Sequence, residues 1–183
     1  VLPRETEDAG GDTLDLSEFS QDSPGATFVE AIIDDPDMDG NKLLQYLQPD
    51  GTRMYRHNFK ESFDDSSFTL MARVRGIKSI AYDRAFDIQW RNGNANSRDE
   101  LRIWPADSTL ELEKAGIEVK VDLNLYAWHT YRIEVRGDSA TVFIDERSAP
   151  YIAGVSQSTT SDRYVKIGDG SGDAIGGYLD WCM

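Results

Sequence analysis

Three segments in the middle of the chain alternate apolar and polar residues with a period of two. Over 67–75, Phe68, Leu70, Ala72 and Val74 fall on one side and Thr69, Met71, Arg73 and Arg75 on the other. Over 85–91, Phe86, Ile88 and Trp90 oppose Asp87, Gln89 and Arg91, and over 101–104, Leu101 and Ile103 oppose Arg102 and Trp104. This is the pleat of a half-buried strand, whereas a helix face would repeat every 3.6 residues. A slip of one residue would invert every side chain, so the pattern fixes which residues point inward. Phe68, Leu70, Val74, Phe86, Ile88 and Ile103 are therefore expected in one core. No stretch shows apolar i, i+3, i+4, i+7 spacing between helix caps.

Strand-like runs recur at short intervals elsewhere. Residues 26–33, 42–48 and 54–59 are separated by the acidic turn 34–41 and by Pro49-Asp50-Gly51. Residues 109–113 and 117–121 read as a hairpin around Ala115-Gly116. The last third adds 128–135, 140–145, 164–170 and 176–181, bounded by Gly, Asp or Ser. Many short strands with turn signals predict an all-β, two-sheet antiparallel β-sandwich. Residues 1–13 are polar and read as a flexible N-terminal segment, with a first strand near 14–19 and a single domain over 14–183.

A length of 183 residues suits one such sandwich. The net charge of −14 disfavours nucleic acid and anionic membrane surfaces as partners. No window approaches the ~18 apolar residues of a membrane span. The chain opens Val1-Leu2-Pro3 without Met, as a processed or trimmed protein does, so the missing leader does not report the compartment. The single cysteine, Cys182, has no internal disulfide partner and reads as a small buried hydrophobe.

The sequence Trp128-His129-Thr130-Tyr131-Arg132-Ile133, the strand Val142-Phe143-Ile144-Asp145 and the closing Gly177-Tyr178-Leu179-Asp180-Trp181 resemble the C-terminal half of concanavalin A-like lectin/glucanase jelly rolls. The resemblance covers about residues 14–183 and implies a domain directed at sugars, of the kind found in bacterial polysaccharide-degrading proteins. Many of these carry a structural calcium ion on the convex side, held by an Asp of the final strand and by carboxylates or carbonyls near the N-terminal strands. Asp180 matches that Asp. The resemblance leaves its partners to come from Glu18, Asp34, Asp35, Asp37 or Asp39, and Asp180, Asp35 and Asp37 form the expected set. A solvated acidic turn is the competing reading.

The retaining glucanases of this fold carry Glu-x-Asp-x-(x)-Glu on one strand, which this chain lacks, so retaining glycosidase chemistry is not expected. Tyr164-Val165-Lys166-Ile167-Gly168-Asp169-Gly170 resembles the Tyr-Phe-Lys-Ala-Gly-x-Tyr strand of jelly-roll alginate lyases, with Gly170 where the usual proton donor stands. The Gln-x-His pair of those lyases becomes Gln89-Trp90-Arg91. For elimination chemistry the remaining candidates are His57, Tyr164 and Lys166. His129 reads as a structural histidine.

Arg73, Arg75, Arg91 and Arg102 are expected on one polar sheet face, with Gln89 for hydrogen bonds and Trp104 as a stacking platform. Arginine pairs bidentately with carboxylate and sulfate. Cross-strand ion pairs with Asp87, Glu100 and Glu111 would instead neutralise the patch. The expectation is a secreted or cell-surface bacterial domain, part of a larger multidomain protein, that binds an anionic polysaccharide through an Arg-rich concave face. A polysaccharide lyase and a laminin G-like protein-binding module are the alternatives.

Overall fold

In a computed structural model the described residues are 20–22, 29–48, 53–58, 67–79, 81–92, 97–158, 162, 164–169 and 174–182. They form fourteen strands and no helix. In chain order these are β1 (Ser20–Asp22), β2 (Val29–Asp34), β3 (Lys42–Gln48), β4 (Arg53–Asn58), β5 (Ser67–Gly76), β6 (Asp87–Asn92) and β7 (Ser97–Trp104). There follow β8 (Thr109–Leu112), β9 (Ile117–Lys120), β10 (His129–Arg136), β11 (Ser139–Ile144), β12 (Ile152–Val155), β13 (Tyr164–Asp169) and β14 (Ile175–Cys182).

Two seven-stranded sheets face each other. The first runs β1-β4-β13-β6-β7-β8-β9 and the second β12-β11-β10-β5-β14-β3-β2. Every pairing within them is antiparallel. The inward sides meet in one apolar core. Leu70, Ala72 and Val74 of β5 and Tyr131, Ile133 and Val135 of β10 pack toward Ile88 and Trp90 of β6, Leu101 and Ile103 of β7, and Val165 and Ile167 of β13. Phe68 packs against this core but is only half-buried, because it sits near the end of β5. Burial of a large aliphatic or aromatic side chain contributes roughly 1.5–3 kcal/mol, so this layer drives the fold.

The alternation thus places inward residues where expected. Two strands escaped the sequence reading: β1, and β12, whose run Ile152-Ala153-Gly154-Val155 is short and broken by glycine. β7 also begins at Ser97 rather than near Leu101. The expected strand over 14–19 lies outside the described residues.

The closing strand approaches the connection before β6 closely. A Cβ on Gly177 would lie 2.5 Å from the Phe86 ring and 2.7 Å from the Ala85 carbonyl oxygen. Glycine there lets the two sheets close at that end.

Candidate functional site

The arginine set expected on one face is divided between two. Arg73 and Arg75 lie on β5, in the second sheet, while Arg91 and Arg102 lie on β6 and β7, in the first. All four point away from the core, as the alternation requires. The chain changes sheets between β5 and β6, so the two pairs stand on opposite outer surfaces. That correction splits the candidate site in two.

On the outer face of the first sheet, cross-strand pairing aligns Arg56, Lys166, Gln89 and Glu100 in one row. The next row aligns Tyr164, Arg91 and Arg98. Tyr164 is buried beneath its neighbours. The Arg56 guanidinium lies 4.3 Å from its ring centroid, the Lys166 ammonium 4.7 Å and the Arg91 guanidinium 4.8 Å. Such contacts are attractive through the negative face of the ring. Arg91 also pairs with Asp162 at 2.5 Å. The Tyr164 hydroxyl donates to Gln89 Oε1 at 2.9 Å, and Gln89 Nε2 donates to Glu100 Oε2 at 2.6 Å. Burial raises the Tyr164 pKa above its usual value, against the opposing pull of Arg91, Arg98 and Arg56.

Farther along the same face the charge reverses. Arg102 donates through Nε to Glu100 at 2.8 Å and lies 3.6 Å from both Glu111 and Glu113. Burial alone would lower its pKa, but the bond to Glu100 and the surrounding carboxylates raise it. Arg102 is therefore committed to ion pairs, the competing reading of that position. Beside it, Arg84 and Asp87 form a pair with no solvent exposure, Nη1 reaching both carboxylate oxygens at 2.7 and 2.8 Å. Trp104 is half-buried, donates Nε1 to Glu111 at 3.3 Å, and has the Arg84 guanidinium 5.0 Å from its ring centroid.

Arg56 and Arg98 are the residues that sequence reasoning missed. Arg56 was visible as an alternating position of the 54–59 strand, but only the β4–β13 pairing brings it over Tyr164. Arg98 sits in the part of β7 that the sequence did not mark. His57 pairs by Cα with Val165, and its side chain lies outside the described set. His129 is structural: Nδ1 lies 2.6 Å from Asp145 Oδ2 and Nε2 3.1 Å from the Asn124 carbonyl.

On the outer face of the second sheet, the residues expected to hold calcium meet the other two arginines. Arg73 Nη1 donates to Asp180 Oδ2 at 2.5 Å, and Arg75 Nη1 to Asp37 Oδ2 at 2.9 Å. Asn41 Nδ2 donates to Asp35 Oδ2 and to Asp180 Oδ1, both at 2.9 Å. The Asp37 backbone N–H donates to Asp35 Oδ1 at 2.8 Å, and Trp128 Nε1 to Asp37 Oδ2 at 3.3 Å. Burial opposes ionisation of Asp35, but Asn41, the Asp37 amide and the two arginines together lower its pKa. Among the described residues no group of three or more His, Cys, Asp or Glu converges as a metal cage. Calcium takes six to eight oxygens, and here the carboxylate oxygens face N–H donors. As arranged, these residues do not fit that ion.

No protein-family model and no curated protein matches the chain. Solved structures do. A carbohydrate esterase from the Shiga toxin-encoding bacteriophage phi24B superposes with a TM-score of 0.61 at 12% identity, over 92% of this chain and 90% of that one. A family 16 endo-glucanase from Bacteroides ovatus gives 0.57 at 13%, over 93% and 96%. The carbohydrate binding module CBM66 from Bacillus subtilis gives 0.50 at 13%, over 87% and 90%. The chain has the concanavalin A-like jelly-roll fold. At such identities the likeness carries architecture, so the chemistry has to be argued from the residues.

Proposed function

We propose that this domain binds a polysaccharide bearing carboxylate or sulfate groups, on the outer face of the first sheet. The observation that carries the reading is the gathering of Arg56, Arg91 and Lys166 on the Tyr164 ring, with Arg98 next in the same cross-strand row, in a chain of net charge −14. A general surplus of base cannot explain such a cluster in so acidic a protein. Guanidinium groups grip carboxylate and sulfate through paired N–H bonds, and Gln89 adds an amide beside them. Three solved neighbours are named as a carbohydrate esterase, an endo-glucanase and a carbohydrate binding module, which supports a sugar as the ligand. With such a ligand we read the domain as acting outside the cell, as a module of a larger polysaccharide-degrading protein. A protein-binding module would present a contiguous apolar patch. Among the described residues the exposed large hydrophobics are Ile32 and Met38 near one edge of the second sheet and Val155 at the other.

Retention in affinity gels loaded with polyuronate, sulfated or neutral polysaccharide tests the proposal. The expected result is retardation by the anionic gels that weakens as salt rises. Arg91→Ala and Arg98→Ala should each reduce affinity by about 1.5–3 kcal/mol, the scale of a hydrogen bond to a charged group. Equal retention of both variants and wild type would place the ligand elsewhere. Growth of the unsaturated-uronate absorbance on incubation would instead make the domain a lyase, and Tyr164→Phe would test the Tyr164 hydroxyl as its acid or base.

A further inference from the structure

The bulge in the closing strand explains how Asp180 reaches its partners. Tyr178 pairs with Arg75 and Leu179 with Val74, but the register then shifts so that Trp181 pairs with Arg73. Asp180 is the extra residue of that β-bulge, a device that re-aims a side chain. Its two oxygens take different partners, one accepting from Arg73 of β5 and the other from Asn41 at the end of the β2–β3 turn. The turn itself is closed by Asp35 N–H to Asn41 O at 2.9 Å and Asn41 N–H to Met38 O at 3.2 Å.

We infer that Arg73 and Arg75 take the place of a metal ion at this corner, forming an arginine lock that ties the β2–β3 turn to β5 and β14. Three observations converge. Each carboxylate of the expected metal set already receives N–H donors: Asp180 from Arg73 and Asn41, Asp35 from Asn41 and the Asp37 amide, Asp37 from Arg75 and Trp128. The Asn41 amide is flanked by two carboxylates, a position that suits its NH2 and not its oxygen. The Trp128 ring, moreover, lies against both guanidinium groups, with centroid distances of 4.5 Å to Arg73 and 4.8 Å to Arg75, and Tyr178 lies 4.7 Å from Arg75. Aromatic groups on the arginines limit their withdrawal into water and hold the charge over the acids. A divalent ion entering here would have to displace Arg73 from Asp180 and would meet two fixed positive charges.

Thermal melting of the whole chain, recorded in EDTA and again in millimolar calcium chloride, tests the lock. The wild-type midpoint should be the same in both. Arg73→Ala should lower it by about 3–6 °C in EDTA, the shift that a 1–2 kcal/mol loss produces in a chain of this size. Should Arg73→Ala fail to fold, Asp180→Asn serves instead: its midpoint should fall below wild type by the same amount in both buffers. A wild-type midpoint that drops in EDTA and recovers with calcium would overturn the inference and restore the metal site. So would an Arg73→Ala or Asp180→Asn midpoint equal to wild type. Neither result touches the polysaccharide reading, which rests on the other sheet.

Discussion

Tyr164 and Gln89, on the neighbouring strands β13 and β6, are joined by a hydroxyl-to-carbonyl hydrogen bond of 2.9 Å beneath a layer of cations. The Gln89 side chain is in turn fixed by the hydrogen bond its amide N–H donates to Glu100, so three strands share one polar chain. Tyr164→Phe should cost about 0.5–1.5 kcal/mol in chemical denaturation without changing the fold. Gln89→Ala should cost more, because it strands both the Tyr164 hydroxyl and one Glu100 oxygen. Burial raises the Tyr164 pKa, so the folded state favours the neutral phenol. This stabilisation is complete below the unfolded tyrosine pKa, near 10, and is lost as pH rises through the higher folded value. Alkaline denaturation curves of wild type and Tyr164→Phe should therefore converge in that window.

Asp99 occupies an inward position of β7, opposite Trp90, and is almost wholly buried. Its Oδ1 accepts the backbone N–H groups of Glu100 and Lys114, both at 2.8 Å. Burial raises its pKa, and the backbone bonds only partly offset this. The folded protein thus holds the proton more tightly than the unfolded chain. The contribution of Asp99 is full below the unfolded Asp value and declines as pH rises through the folded one. Asp99→Asn keeps an acceptor for the amides and removes the charge, so its stability relative to wild type should improve with pH over that window. Asp99→Ala should be destabilised at every pH by about 1–3 kcal/mol, because buried N–H donors lose their acceptor. Urea midpoints across the acid range separate the two.

Arg84 and Asp87 have no solvent exposure. Truncating one partner leaves a charge buried, so Arg84→Ala should cost about 3–5 kcal/mol. Replacing both, as Arg84→Met with Asp87→Leu, should recover most of that loss. A double-mutant cycle in guanidinium chloride checks this, and additive losses would show that the pair is not coupled.

Gly177→Ala should lower stability by about 1–3 kcal/mol, since its Cβ would meet the Ala85 carbonyl and the Phe86 ring. Gly116 is a useful contrast. Nothing lies within 4 Å of its added Cβ, and its φ of +67° is the only obstacle. Gly116→Ala should therefore cost only the local strain of about 1 kcal/mol. Melting curves of the two variants compare crowding with backbone strain directly.

The alternation of residues 67–75, 85–91 and 101–104 was enough to assign inside and outside, because a strand has only two sides and the core admits only one of them. Leu70, Val74, Ile88 and Ile103 are buried and Arg73, Arg75, Arg91 and Arg102 face outward for that reason alone. Local pattern carries no information about which sheet a strand joins. That choice depends on partners far along the chain: β5 lies between β10 and β14, and β6 between β13 and β7. One arginine face therefore became two. Arg73 and Arg75 met Asp180 and Asp37, more than thirty residues away in either case, and Arg91 met the Tyr164 cluster through a strand that follows it by more than seventy positions. Sequence determined the jelly-roll layering and the inward residues. Tertiary structure alone decided which charges neighbour one another, since long-range strand pairing sets those distances and a two-residue period does not.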